Sequence, residues 1–311
     1  MAKTTGTTAF NLDMNDLIEE AFERCGQELR TGYNFRTARR SLNIMTIEWA
    51  NRGINFWTVE QGQIPLVTGQ AIYPMPVDTI NILDAVIRQN NATSNQIDIN
   101  ISQISEPTYM SLPNKLAQGR PIQFWYNRQS GQENLTAIQV NSNTGGILST
   151  DTTIPLDTVV GLTTSGFVKI GNEVISYPNI LGNSLVNCAR GQNNTTAAAH
   201  TNGDLLTVQN LPCLNIWPTP NAPGNQYTLV YYRMRRIQDA GGGTSIQDIP
   251  FRFIPCMVAG LAYHLSMKLP DVSPDRVLAL KTEYEAQWQI AADEDRDTSP
   301  IRLVPRNMFY A

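Results

Sequence analysis

Charge is scarce in this sequence, histidine is scarcer, and no apolar run is long. Only 16% of the 311 residues are Asp, Glu, Lys or Arg, and the formal net charge is -4. A dedicated duplex-binding domain draws its affinity from Lys and Arg that neutralise phosphates, so this balance argues against one. It is compatible with a channel through which genomic DNA passes only as cargo. There are two histidines, His200 and His264, and four widely spaced cysteines, Cys25, Cys188, Cys213 and Cys256, with no CxxC pair. A zinc site has little to build on, and buried, reduced thiols are expected. Nothing approaches the roughly 18 apolar residues of a membrane-spanning helix. The opening MAKTTGTTAF lacks the apolar core of a secretory signal. The mean hydropathy of -0.25 fits a soluble protein, and no membrane partner is expected.

Catalytic signatures are missing too. There is no GxxxxGK[ST] loop, no GxSxG elbow and no HExxH pair. His200 stands four residues from Asp204, and His264 lies in an apolar segment read as a packed helix. A Ser-His-Asp set is a matter of geometry, and proximity in sequence does not make one. The acids Glu133, Asp151, Asp157, Glu173 and Asp204 are isolated in sequence, whereas a glycoside hydrolase needs paired carboxylates in a cleft. The expectation is a non-enzymatic protein with no cofactor and no metal.

What is present is patterning. After Asp13, an N-cap residue, Leu17, Ile18, Ala21, Phe22, Cys25 and Leu29 form an amphipathic stripe. Gly32 interrupts, and a second helix is expected over about 36–52, with Ala38, Leu42, Met45 and Trp49 on one face, Ile44 assigned to that core face with Met45, and Gly53 as its stop. Near the other end, Pro250 opens a helix through Phe253, Met257, Leu261 and Leu265. Ser273-Pro274-Asp275 is a strong start signal for another, carrying Val277, Leu280, Tyr284 and Trp288. No single pair of these helices buries its stripes, so the four should pack together.

The middle reads as strand: 56–64, 70–73, 80–88, the aromatic run 123–126, 214–217 and 227–233. Between about Gly131 and Val208 the composition turns to Thr, Asn and Gly. Short strands are expected there at 153–156, 167–170, 173–177 and 184–187, with Gly171-Asn172 as a hairpin turn. Cutting this segment out would join the 123–128 strand naturally to 214–218, the pattern of a domain inserted at a hairpin tip. The expected class is α+β: a four-helix bundle from both chain ends, a central antiparallel β domain, and an inserted small all-β domain. The expected boundaries are 1–55 and 249–296 for the helices, 56–130 and 209–248 for the β domain, 131–208 for the insertion, and 297–311 for an extended C-terminal arm.

Two groups of residues suggest interfaces. The arm is Pro-interrupted and carries Arg302, Arg306, Phe309 and Tyr310, types that anchor contacts with a neighbour. Arg36, Arg39 and Arg40 open the second helix, and Arg233, Arg235 and Arg236 close a strand. Each Arg group reads either as solvated or ion-paired surface or as a positive rim that meets an acidic partner face.

At this point a resemblance enters. The stretch from Asn15 to Gly53, Phe124-Trp125-Tyr126, Leu214 to Pro220, Tyr231 to Gln238, and the helix around Leu280 to Glu285 together resemble the head-to-tail adaptors and tail tubular connector rings of short-tailed phages. Within the insertion, Gly166 to Tyr177 and Cys188 to His200 resemble a small β module that recurs in phage structural proteins. The resemblance implies a virion protein of the neck, assembled in the host cytoplasm. Its implied partners are further copies of itself in a ring, typically a dodecamer, the portal protein above and the tail nozzle protein below. Tail fibres are a further candidate partner. Many adaptors lack such an insertion, so its role does not carry over. The alternative reading is a tail component whose Thr- and Asn-rich insertion binds a host glycan or carries a fibre. That would call for aromatic residues exposed on a β surface, and the insertion offers only Phe167 and Tyr177.

Overall fold

A computed structural model describes residues 6–7, 10–28, 32–53, 56–130, 132–133, 138–222 and 226–295. The chain is α+β; among the described residues there are five α-helices, α1 (Met14–Cys25), α2 (Gly32–Arg52), α3 (Glu106–Met110), α4 (Ile254–Ser266) and α5 (Pro274–Glu294), and several mainly antiparallel sheets. It divides into two compact units, Met1–Thr58 with Arg236–Ala311, and Val59–Arg235.

In the helical unit, local signals set the helix ends. The Asp13 carboxylate accepts the Asp16 N–H at 2.9 Å, which starts α1. Gly26, at φ +76°, stops it by turning the chain into the left-handed region, where its N–H reaches the Glu23 carbonyl at 2.8 Å. The helix therefore ends before Leu29, which lies outside the described residues. Gly32 is the first residue of α2 rather than an interruption, so α2 begins four residues before its expected start; Ile44, expected on the core face with Met45, is 52% exposed, since one helical step turns it about 100° away. The Ser273 hydroxyl caps α5, with Pro274 in its first turn. α4 is buried on nearly every side, from Ile254 to Ser266, and α1, α2 and α5 each contribute one stripe to the core around it. The approach is closest at Gly260, where a methyl group would lie 2.5 Å from Met45 Sδ and 2.7 Å from the Tyr284 ring. Trp49, Phe253 and Trp288 meet at one end of this core, and the buried Trp49 indole N–H donates to the Tyr284 hydroxyl at 2.9 Å. Residues 236–248, expected with the β domain, belong to this unit. Ile237 and Ala240 are buried in the helical core, and the Ala240 N–H is held by the Asn43 side chain at 2.7 Å.

The other unit contains two four-stranded sheets. In the first, the order is Val59–Pro65, Tyr227–Arg235, Thr79–Gln89, Ile97–Asn100; in the second it is Ile72–Pro74, Cys213–Trp217, Gln123–Asn127, Ser102–Gln103. Ile82, Ala85, Ile87, Leu229 and Tyr231 from the first share one core with Tyr73, Phe124, Tyr126, Leu214 and Ile216 from the second, which is the arrangement of a β-sandwich. The first strand starts at Val59, because Phe56–Thr58 forms a helical turn where the sequence suggested strand.

Residues 138–206 hold a hydrophobic core of their own, around Ile138, Ile154, Val168, Ile170, Ile175, Tyr177 and Leu185. Its main sheet runs Ala189–Gln192, Glu173–Tyr177, Gly166–Ile170, Leu206–Gln209, Gln132–Glu133. Ile170 pairs with Glu173 across the two-residue turn Gly171-Asn172. The strands on either side of the whole segment are hydrogen-bonded neighbours, with Asn127 opposite Cys213. A small second cluster, Phe167, Val174, Leu211, Cys213 and Ile72, joins this sheet to the sandwich.

Candidate functional site

The most concentrated chemistry lies where the sequence showed only scattered charges. The strand Glu173–Tyr177 is buried along its whole length, so its first residue carries a carboxylate into the interior. The Glu173 side chain is fully enclosed and the Arg190 side chain is only 7% exposed. Arg190 meets Glu173 as a fork, with Nε and Nη2 each donating at 2.8 Å. The same carboxylate accepts the Gly191 N–H at 3.0 Å, the Ala198 N–H at 3.1 Å and His200 Nε2 at 2.8 Å. The other face of His200 lies 3.8 Å from Asp204. Arg190 then spends its remaining donors on the carbonyls of Leu148, Asp151 and Ala198. Burial by itself would raise the Glu173 carboxyl. Arg190, Ala198, His200 and Gly191 outweigh it and hold the group at about 2.

This arrangement ties one buried strand to its neighbour Ala189–Gln192, to the segment Ala198–His200 and to the loop Leu148–Asp151, and leaves neither carboxylate oxygen open to a reactant. Its chemistry is that of a clasp. The residues are 17 and 27 positions apart in sequence, which is why they looked isolated.

The interface candidates fall differently. Arg36, Arg39 and Arg40 are exposed on α2, and Arg39 also donates to the Ala240 carbonyl at 2.9 Å. Arg302, Arg306, Phe309 and Tyr310 lie outside the described residues. Arg233 and Arg235 belong to the sheet rather than to an open rim. Arg233 pairs with Asp78 at 2.6 Å and Glu60 at 2.9 Å, and Arg235 with Glu60 at 2.6 Å. His264 packs on α4 with Nε2 3.5 Å from Glu48. Burial is the main cause that keeps its pKa below the usual histidine value. The four cysteines are free, buried thiols; burial pushes Cys25 up to about 11 and the other three to about 12, so at neutral pH they are not nucleophiles.

Phe167 and Tyr177, the aromatics on which a ligand-stacking surface in the insertion depended, are both buried. In the same unit, a cleft of about 660 Å³ is lined by the amides of Gln70, Gln118, Asn179 and Asn187, the hydroxyls of Thr68 and Thr152, the Cys188 thiol and apolar side chains such as Val67 and Leu116, with no carboxylate or amine. Among the described residues, no helix is long and apolar enough to cross a membrane.

No protein-family model matches the sequence, and the search of curated proteins gave no match.

Proposed function

We propose that this chain is a structural, non-enzymatic subunit of a phage neck, a head-to-tail adaptor that forms a ring between portal and tail nozzle and leaves a channel for DNA. In this reading the four long helices form the wedge of the ring, and 131–208 is a small β domain inserted into the sandwich. The observation that carries it is the surface of the helical unit. Tyr33, Ile44 and Ile47 on α2, and Leu278 and Ile290 on α5, are each more than half exposed on well-formed helices. A helix that presents large apolar residues on a second face is built to meet another protein. The sequence resemblance supports the identity of that protein as further copies of this chain and the portal. The experiment is to remove the chain from the assembling particle. The expected result is DNA-filled heads that lack tails and leak their genome, restored by supplying the chain. Particles that assemble complete tails without it would overturn the proposal.

A further inference from the structure

We infer that α2 of one copy packs antiparallel against α5 of the next, through helix faces that a single chain leaves open. This rests on the ring reading above and says which surfaces make the joint.

Both helices are 21 residues long, so each presents about 31 Å of length. Each has two faces. α2 buries Ala38, Leu42, Met45 and Trp49, and on the opposite side carries Tyr33, Arg40, Ile44 and Ile47 in alternating steps of three, four and seven. α5 buries Leu280, Tyr284, Trp288 and Ala291, and on its opposite side carries Leu278, Ala279, Thr282, Ala286 and Ile290. Steps of three and four sustained over several turns are the spacing that lets one helix seat its residues between those of another.

Size and charge choose the pairing and its direction. The α2 face is large and the α5 face is mostly small, so the two are complementary and neither suits a copy of itself. Arg36 and Arg40 lie on the exposed face of α2 at its N-terminal end, whereas Asp293 and Asp275 lie at the two ends of the exposed face of α5. Antiparallel packing that sets Ile47 against Ala279 and Ile44 against Thr282 brings Arg40 opposite Ala286 and Arg36 within one turn of Asp293. It also opposes the two helix dipoles favourably. Parallel packing would set Arg36 within a turn of Asp275, but it would also bring Glu48, held by Arg52 at 2.6 Å, within a turn of Asp293 and align the two dipoles, so the antiparallel arrangement is favoured. A contact between two different faces is heterologous, so it does not stop at dimers, and it closes into a ring when the rotation between neighbours divides the circle.

The test uses Ile44→Asp for the α2 face and Ala279→Asp for the α5 face in the full chain, with mass measured in solution. Both positions are exposed, so the melting of each variant should match the parent; Arg36→Glu and Asp293→Arg provide a second pair. Each single variant is expected to need at least a hundredfold more protein to assemble. An equimolar mixture of the two Asp variants should give one-to-one pairs and nothing larger, since each supplies the face the other lacks. Arg36→Glu combined with Asp293→Arg in one chain should recover assembly. If the parent assembles and the variants assemble as well as it does, the α2–α5 joint is wrong while the ring stands. If one variant pairs with itself, the contact is isologous and the inference fails. If the parent stays monomeric even with the portal, the ring reading fails and takes this inference with it.

Discussion

Replacing Glu173 with glutamine removes one negative charge from the interior of the Val59–Arg235 unit while keeping the side-chain volume. The carboxyl is held at about 2 against an ordinary value of 4.5, and each pKa unit is worth about 1.4 kcal/mol, so the charge contributes about 3 kcal/mol at neutral pH. A separate argument gives the same size. Removing one partner of a buried ion pair costs about 3–5 kcal/mol, because Arg190 would keep its charge inside with nothing to balance it. For a unit of this size that lowers the melting temperature by roughly 6–12 °C. The sign with pH follows from the depressed pKa. The parent's advantage is complete above pH 4.5, fades as pH falls through that value towards 2, and is absent from the glutamine variant throughout. The assay is denaturant unfolding of parent and variant from pH 7 down to pH 3. A difference below about 1 kcal/mol at pH 7, or parallel acid dependence in the two proteins, would refute the reasoning.

Tyr284→Phe should destabilise the helical unit by about 1–3 kcal/mol, since the Trp49 N–H loses its acceptor in a buried site; thermal melting followed by tryptophan fluorescence reads it. Gly260→Ala should also destabilise, by about 1–3 kcal/mol, because the methyl group collides with Met45 and Tyr284 and this outweighs the better helix propensity of alanine; calorimetry of the variant checks it. Deleting 131–208 and joining Ser130 directly to Gln209 should leave a cooperatively folded body, because Asn127 and Cys213 already face each other across the sheet, provided the newly exposed Ile72 and Leu211 are made polar. Loss of cooperative unfolding would count against a separable insertion. Truncation after Thr298 should leave melting unchanged and weaken portal binding; equal binding by the truncated chain would reduce the arm to a tail.

The sequence was most informative where structure is local. Asp13, Gly53 and Ser273-Pro274 marked helix ends because caps act over three or four residues, and Gly171-Asn172 marked its hairpin for the same reason. Reading failed where structure depends on partners far along the chain. The strand Ile97–Asn100 alternates Ile with Asp and Asn, but four residues are too few to establish a period, and its pairing with Thr79–Gln89 defines it. The start of α2 was missed because Gly32 was read as a breaker, although a glycine in a first helical turn has little to break. The clasp around Glu173 was invisible for a similar reason. Only the pairing of Glu173–Tyr177 with Ala189–Gln192 brings Arg190 to the carboxylate. One signal was available: a Glu that opens a strand of Val, Ile and Tyr is an acid entering an apolar interior, and it requires a cation somewhere nearby. Arg233 and Arg235 carried the converse lesson, since two Arg in alternation on a strand share one sheet face and find their acids across the ladder.

The central claim is that this chain closes into a ring. Native mass measurement of the purified chain, alone and with its portal, tests it most directly. The expected result is a single closed species at an integral multiple of the 34.6 kDa chain, twelve copies when bound to the portal. A chain that stays at 34.6 kDa across concentration and adds no mass to the portal would contradict it.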